Sequence, residues 1–133
     1  MIDTIWTYIV PFLVILTVVV FVHELGHYLI ARLNGVKIEV FSIGFGRELF
    51  GWNDRSGTRW KVSWIPLGGY VKFFGDESAA STPQEGLDTL SESDREISFH
   101  HKHLGQRASI VVAGPVANLL FAVVVYAILF MTF

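Results

Sequence analysis

Two long apolar stretches bracket a polar middle. Residues 5–22 ("IWTYIVPFLVILTVVVFV") and 108–133 ("ASIVVAGPVANLLFAVVVYAILFMTF") contain no charged side chain. A helix needs about 20 apolar residues to cross roughly 30 Å of hydrocarbon, and both stretches meet that length. The pattern predicts one transmembrane helix over 5–31, with Pro11 near its outer end, and a second over 108–133. "LNGVK" (residues 33–37) stops the first, with Gly35 placed as its C-terminal cap.

From Val36 to Phe74 the apolar positions fall into short β-like pieces broken by glycine. In "TRWKVSWIPLGGYVKFFG", Trp60, Val62 and Trp64 alternate with Arg59, Lys61 and Ser63. With the turn-forming "GWNDRSGT" ahead of it, this region (36–74) is expected to form hairpins. Phe41, Ile43, Phe45, Phe73 and Phe74 leave two placements open, a small cytoplasmic sheet or a β-structure dipping into the membrane edge. Residues 75–98 are acidic and lack aromatics, and they read as a mobile linker. Residues 99–107 form an interfacial segment before the second span. The expected fold class is therefore membrane α-helical: two transmembrane helices joined by a cytoplasmic-side loop containing a membrane-associated β-hairpin region.

Charge orients this arrangement. All ten Lys and Arg residues lie between the two apolar stretches, from Arg32 to Arg107. By the positive-inside rule the middle segment is cytoplasmic and both termini lie outside. Ser109, Ala113 and Ala117 recur every four residues on the second span, a small face for close packing on another helix. A cleaved signal peptide is disfavoured, because "MIDT" has no basic residue and no small-x-small site follows the apolar run. The chain has no cysteine, which excludes disulfides and thiolate metal ligands. No basic stripe points to nucleic acid.

The chemistry sits in "HELGH" (residues 23–27). His23 and His27, four residues apart on a helix, present two imidazoles to one zinc ion, and Glu24 beside them is placed as a general acid/base. Metal-bound water has its pKa lowered to about 7, and a carboxylate can take its proton and pass it to a leaving amine. If Arg32 marks the lipid boundary, His27 lies about 7 Å and His23 about 14 Å inside it, at 1.5 Å per residue. Ionisable groups at such depth mark function. The bland alternative is a span ending near Val22, with "HELGHYLIAR" as an ordinary cytosolic helix.

Three motifs in order, "HELGH", "PLGGYVKFFG" and "QRASIVVAGPVANLLFA", resemble the site-2 protease family of intramembrane zinc metalloproteases, most closely its RseP-like branch. The resemblance implies zinc held by His23 and His27, with Glu24 catalytic. It implies that 36–74 is a membrane-reentrant β-loop whose edge, around Gly68, Gly69 and Tyr70, holds substrate in extended form. From the residues alone, Asn118 reads as an interhelical hydrogen-bonding amide, while the family's G-P-x-x-N pattern implies that it binds substrate backbone near the zinc. The implied substrates are transmembrane proteins, such as anti-sigma factors or signal-peptide remnants, cut within the lipid of a bacterial inner membrane.

One departure stands out. The family draws a third ligand, an aspartate in an L-D-G motif, from a later helix, whereas the "LD" here, Leu87-Asp88, is followed by Thr89. The periplasmic PDZ region expected after the second span is also missing. The expectation is an N-terminal fragment, inactive alone, completed by a C-terminal part that supplies the third ligand. His100, His101 and His103 could in principle substitute, but "HHKH" before a span reads as a solvated interfacial cluster. Two other classes remain: a non-enzymatic membrane module binding partner helices, and a metal-transport element, which the second span disfavours by carrying no acidic residue.

Overall fold

The computed structural model describes residues 1–77 and 82–133. Two helices, α1 (Ile2–Leu33) and α3 (Leu104–Thr132), are each long and apolar enough to cross a membrane. Between them lie strands β1 (Ile38–Asn53) and β2 (Arg59–Phe73), a 3₁₀ turn at Leu87–Thr89, the short helix α2 (Glu92–Ile97) and a second 3₁₀ turn at Phe99–His101.

α1 contains a π-type turn at Ile5–Ile9, in which the Val10 N–H reaches back to the Ile5 carbonyl. Pro11 explains it. Proline has no N–H to donate and its ring crowds the carbonyl four residues back, so the turn before it widens instead of breaking. At the other end Gly35 adopts φ +75°, and the Val36 N–H bonds the Ala31 carbonyl at 3.0 Å. This is the glycine cap expected from the sequence.

α3 begins four residues before the charge-free run. Gln106 accepts from the His103 N–H at 3.2 Å, and the His103 side chain accepts from a backbone N–H in return. These reciprocal caps satisfy helix-end donors that hydropathy alone cannot foresee. The interfacial segment at 99–107 is thus part 3₁₀ turn and part first turn of α3.

The small face of α3 packs where expected. A Cβ built on Gly26 of α1 would collide with the Ala113 carbonyl and stand 2.7 Å from the Ala117 Cβ. The backbones of α1 and α3 therefore approach as only a glycine–alanine contact permits.

β1 and β2 form one antiparallel hairpin that doubles back on itself. Val40, Phe41, Ser42 and Ile43 each pair twice, with residues 59–62 and with residues 69–72. Gly69, Tyr70 and Val71 have strand partners on one side only, which makes them an outer edge. The hairpin turn is organised by Asp54, whose carboxylate accepts from the N–H groups of Ser56 (2.8 Å) and Thr58 (3.0 Å) and from the Trp60 indole (2.8 Å). The expected alternation of β2 fails at one point: Ser63 is buried and Trp64 is 61% exposed. Ser63 lies where the doubled strand crosses itself, its Oγ 3.2 Å from that of Ser42, and the crossing admits only a small side chain.

The apolar residues of the hairpin divide between two environments. Phe41 and Phe73 are buried in one core with Tyr28 and Ala31 of α1, Phe99 and Ile110. Phe45, Phe50, Trp52, Trp64 and Leu67 remain exposed. The core thus clamps the hairpin onto the C-terminal third of α1 and the start of α3.

The acidic stretch read as a linker carries structure. Its 3₁₀ turn and α2 follow a bridge between Asp76 and Pro83, and Ser91 caps α2 by accepting the Asp94 N–H at 3.3 Å. The Lys37 N–H bonds the Ile97 carbonyl at 3.0 Å, tying this stretch to the hairpin. Charge density masked these elements, since each is too short to show a periodic apolar face. Residues 78–81 of that stretch lie outside the described residues.

Candidate metal centre

His23 and His27 stand one turn apart near the point where α1 meets α3, and their Nε2 atoms face each other at 3.1 Å. Two imidazole nitrogens sharing a tetrahedral zinc at about 2.0–2.1 Å sit roughly 3.3 Å apart. The pair is therefore close to a chelating geometry.

The other ring nitrogens are both engaged by α3. His27 Nδ1 lies 2.7 Å from the Ile110 carbonyl. A carbonyl only accepts, so this nitrogen carries the proton and Nε2 presents its lone pair. Such an outer hydrogen bond orients a metal-binding histidine. His23 Nδ1 lies 3.1 Å from Asn118 Nδ2, and Asn118 Oδ1 is buried without a partner among the described residues.

Gly114 makes room for both rings. A Cβ there would overlap His27 Nε2 and stand 2.6 Å from His27 Cε1 and 2.8 Å from His23 Nε2. The glycine of "AGPVAN" thus forms the floor of the histidine pair, a role invisible in a sequence where Gly114-Pro115 reads as a helix bend. Pro115 sits inside a continuous α3.

Glu24 and His27 share a cavity of about 440 Å³, with Gly69, Tyr70 and Val71 of the outer strand edge on its far side. Phe73, Phe99, Ile110 and Val111 complete its wall. Of the residues singled out from sequence, His23, His27 and Asn118 are joined by hydrogen bonds, and Glu24, His27, Gly69 and Tyr70 share this cavity. Gly68 lies apart from it, packed so closely on Phe45 that a Cβ would stand 2.5 Å from the ring.

The donor set fits zinc in kind, with two imidazoles and a carboxylate nearby. It is incomplete in number, because no group of three or more His, Asp or Glu side chains converges among the described residues. Two of the interfacial histidines, His100 and His103, are engaged elsewhere. His100 Nε2 is 2.6 Å from Asp76 Oδ1, a pairing almost closed to solvent, and His103 caps α3. His100 thus departs from the expected solvated cluster, because it pairs with a buried carboxylate that also accepts the Phe73 N–H at 3.0 Å.

Comparison with known proteins agrees with this chemistry. A Rhizobium meliloti protein provisionally named a zinc metalloprotease is 56% identical over 125 residues, covering 92% of this chain and 33% of its own length. A Mesorhizobium japonicum protein of the same provisional naming is 54% identical over 127 residues, covering 94% of this chain and 35% of its own. Metalloprotease MmpA of Caulobacter vibrioides is 51% identical over 134 residues, covering 94% and 34% respectively. The chain therefore spans about a third of the length of the curated relatives it matches. The profile of peptidase family M50 matches residues 11–133. By that match and these identities, the chain belongs to peptidase family M50, the site-2 proteases.

Proposed function

We propose that this chain is the N-terminal catalytic portion of an intramembrane zinc metalloprotease of the RseP-like branch, cutting peptide bonds within transmembrane segments of other proteins. The observation that carries the reading is the His23–His27 pair. Its Nε2 atoms face each other at 3.1 Å on a helix long and apolar enough to span lipid. Exposed apolar side chains along both helices, among them Phe12 and Ile15 on α1 and Leu120 and Val123 on α3, support their contact with lipid.

His23 and His27 would hold the zinc. When bound, the metal supplies the Lewis acidity that brings a water into the neutral titration range. Glu24, lining the cavity beside His27, accepts the proton of the attacking water and delivers it to the departing amide nitrogen. The outer edge at Gly69, Tyr70 and Val71 lies across that cavity. Its unpaired side suits an unwound substrate segment added as a strand, whose backbone groups would find partners there. The exposed Phe45, Phe50, Trp52 and Trp64 support a hairpin that enters the membrane edge. A third ligand, expected from an aspartate on a later helix, completes the centre in this reading, and residues 1–133 alone are inactive.

Glu24→Gln in the full-length protein tests the assignment. Cleavage of a single-span substrate should fall at least about 100-fold, while zinc content and helix content stay at wild-type levels. Undiminished cleavage would overturn it.

A further inference from the structure

The two histidines are held differently at their far nitrogens. His27 Nδ1 must donate, because its partner is the Ile110 carbonyl at 2.7 Å. His23 Nδ1 faces the side-chain amide of Asn118 at 3.1 Å, and an amide can either donate or accept. With Nδ2 toward the ring, the amide donates to Nδ1, and a neutral His23 then carries its proton on Nε2. That proton points at His27 Nε2, 3.1 Å away, where it blocks the lone pair. The same orientation leaves Oδ1 buried with no partner among the described residues. Exchanging the amide atoms puts Nδ2 in that place, so the unpaired acceptor does not choose the orientation; the lone pair that zinc requires on His23 Nε2 does. Half a turn about the Cβ–Cγ bond exchanges the two amide atoms. Oδ1 then accepts from the His23 Nδ1–H, and Nε2 presents its lone pair beside that of His27.

We infer that Asn118 is a positioning residue of the metal centre: its side-chain carbonyl holds His23 in the tautomer whose Nε2 binds zinc. The inference rests on the proposed zinc-protease reading. It assigns Asn118 to the histidine and not to the substrate backbone, in keeping with the 3.1 Å approach of its amide to His23 Nδ1. The two anchors then match. A backbone carbonyl of α3 fixes His27, a side-chain carbonyl about two turns further along fixes His23, and both stand on the helix that packs against α1 through Gly26.

The test uses the full-length protein purified in detergent, with zinc affinity measured by competition against a chromophoric chelator. Asn118→Leu preserves bulk and removes the acceptor, and it should weaken zinc binding about 10- to 100-fold, as losing an outer-shell partner does. Asn118→Asp keeps an acceptor and should stay within a few-fold of wild type. Nitrogen-15 histidine spectra of the zinc-loaded wild type should show His23 protonated at Nδ1. Wild-type affinity in Asn118→Leu would overturn the inference and leave the protease reading standing. So would a His23 proton on Nε2 in the loaded protein, or equal losses in the Leu and Asp variants, which would mark a packing role. Failure of the wild type itself to bind zinc would overturn the protease reading, and this inference with it.

Discussion

Gly114→Ala adds a single methyl group at the floor of the histidine pair. The new carbon would stand 2.6 Å from His27 Cε1 and 2.8 Å from His23 Nε2, short of an ordinary contact of about 3.5 Å by roughly 0.7–0.9 Å. The helices cannot separate cheaply, because Gly26 already seats α1 against the Ala113 carbonyl. The rings must turn instead, and a displacement of that size exceeds the roughly 0.5 Å tolerance of a working site. Overpacking of this kind costs about 1–3 kcal/mol. At about 1.4 kcal/mol per decade, zinc affinity should fall about 5- to 150-fold. The helix itself should not suffer, since alanine favours a helix over glycine by about 0.8–1 kcal/mol. Chelator competition on the full-length variant reads the affinity, and circular dichroism reads the helix. Zinc affinity within two-fold of wild type would refute the claim that both rings occupy the space above Gly114.

The other predictions probe the frame around the site. Gly26→Ala drives a methyl into the Ala113 carbonyl and to 2.7 Å from the Ala117 Cβ; a loss of about 1–3 kcal/mol should appear as a lower thermal midpoint in detergent, and an unchanged midpoint would contradict the close crossing. Asp76→Ala strips partners from His100 and from the Phe73 N–H, so hydrogen exchange should accelerate at the start of α3 and the end of β2. Burial pushes the Asp54 carboxyl up, but bonds from the Trp60 indole, the Thr58 and Ser56 N–H groups and the charge of Arg32 outweigh it, leaving its pKa below the ordinary value. A depressed folded pKa contributes stability that is present above the unfolded value of about 3.9 and is lost as pH falls through the lower folded value. Tryptophan emission, reporting on Trp60 stacked 4.4 Å from Phe41, should therefore hold from about pH 7 to pH 5 and change below about pH 4. Asp54→Asn should flatten that acid transition.

Much of this was legible in the residues. A spacing of four puts two histidines on one helical face whatever surrounds them, and the recurrence of Ser109, Ala113 and Ala117 marked the packing face of α3. Gly35 announced its own cap, because few other residues take its φ. What stayed hidden depends on partners distant in the chain. Asp76 and His100 are 24 positions apart and found each other only through the fold. Ser63 is buried because the hairpin doubles back, an event that a two-residue period does not encode. Gly114 read as half of a helix bend, since nothing local tells that His23 and His27 stand above it. The short helices at 87–97 were obscured by charge, being held by caps and backbone bonds instead of an apolar stripe.

The unequal anchoring of the two histidines carries an evolutionary consequence. The partner of His27 is a main-chain atom, present whatever residue occupies position 110, so point mutation cannot delete it directly. The partner of His23 is a side chain, and one codon change removes it. Drift in this centre should therefore be lopsided, with position 110 answering to core packing and not to its hydrogen bond, while position 118 stays confined to residues that can meet an imidazole.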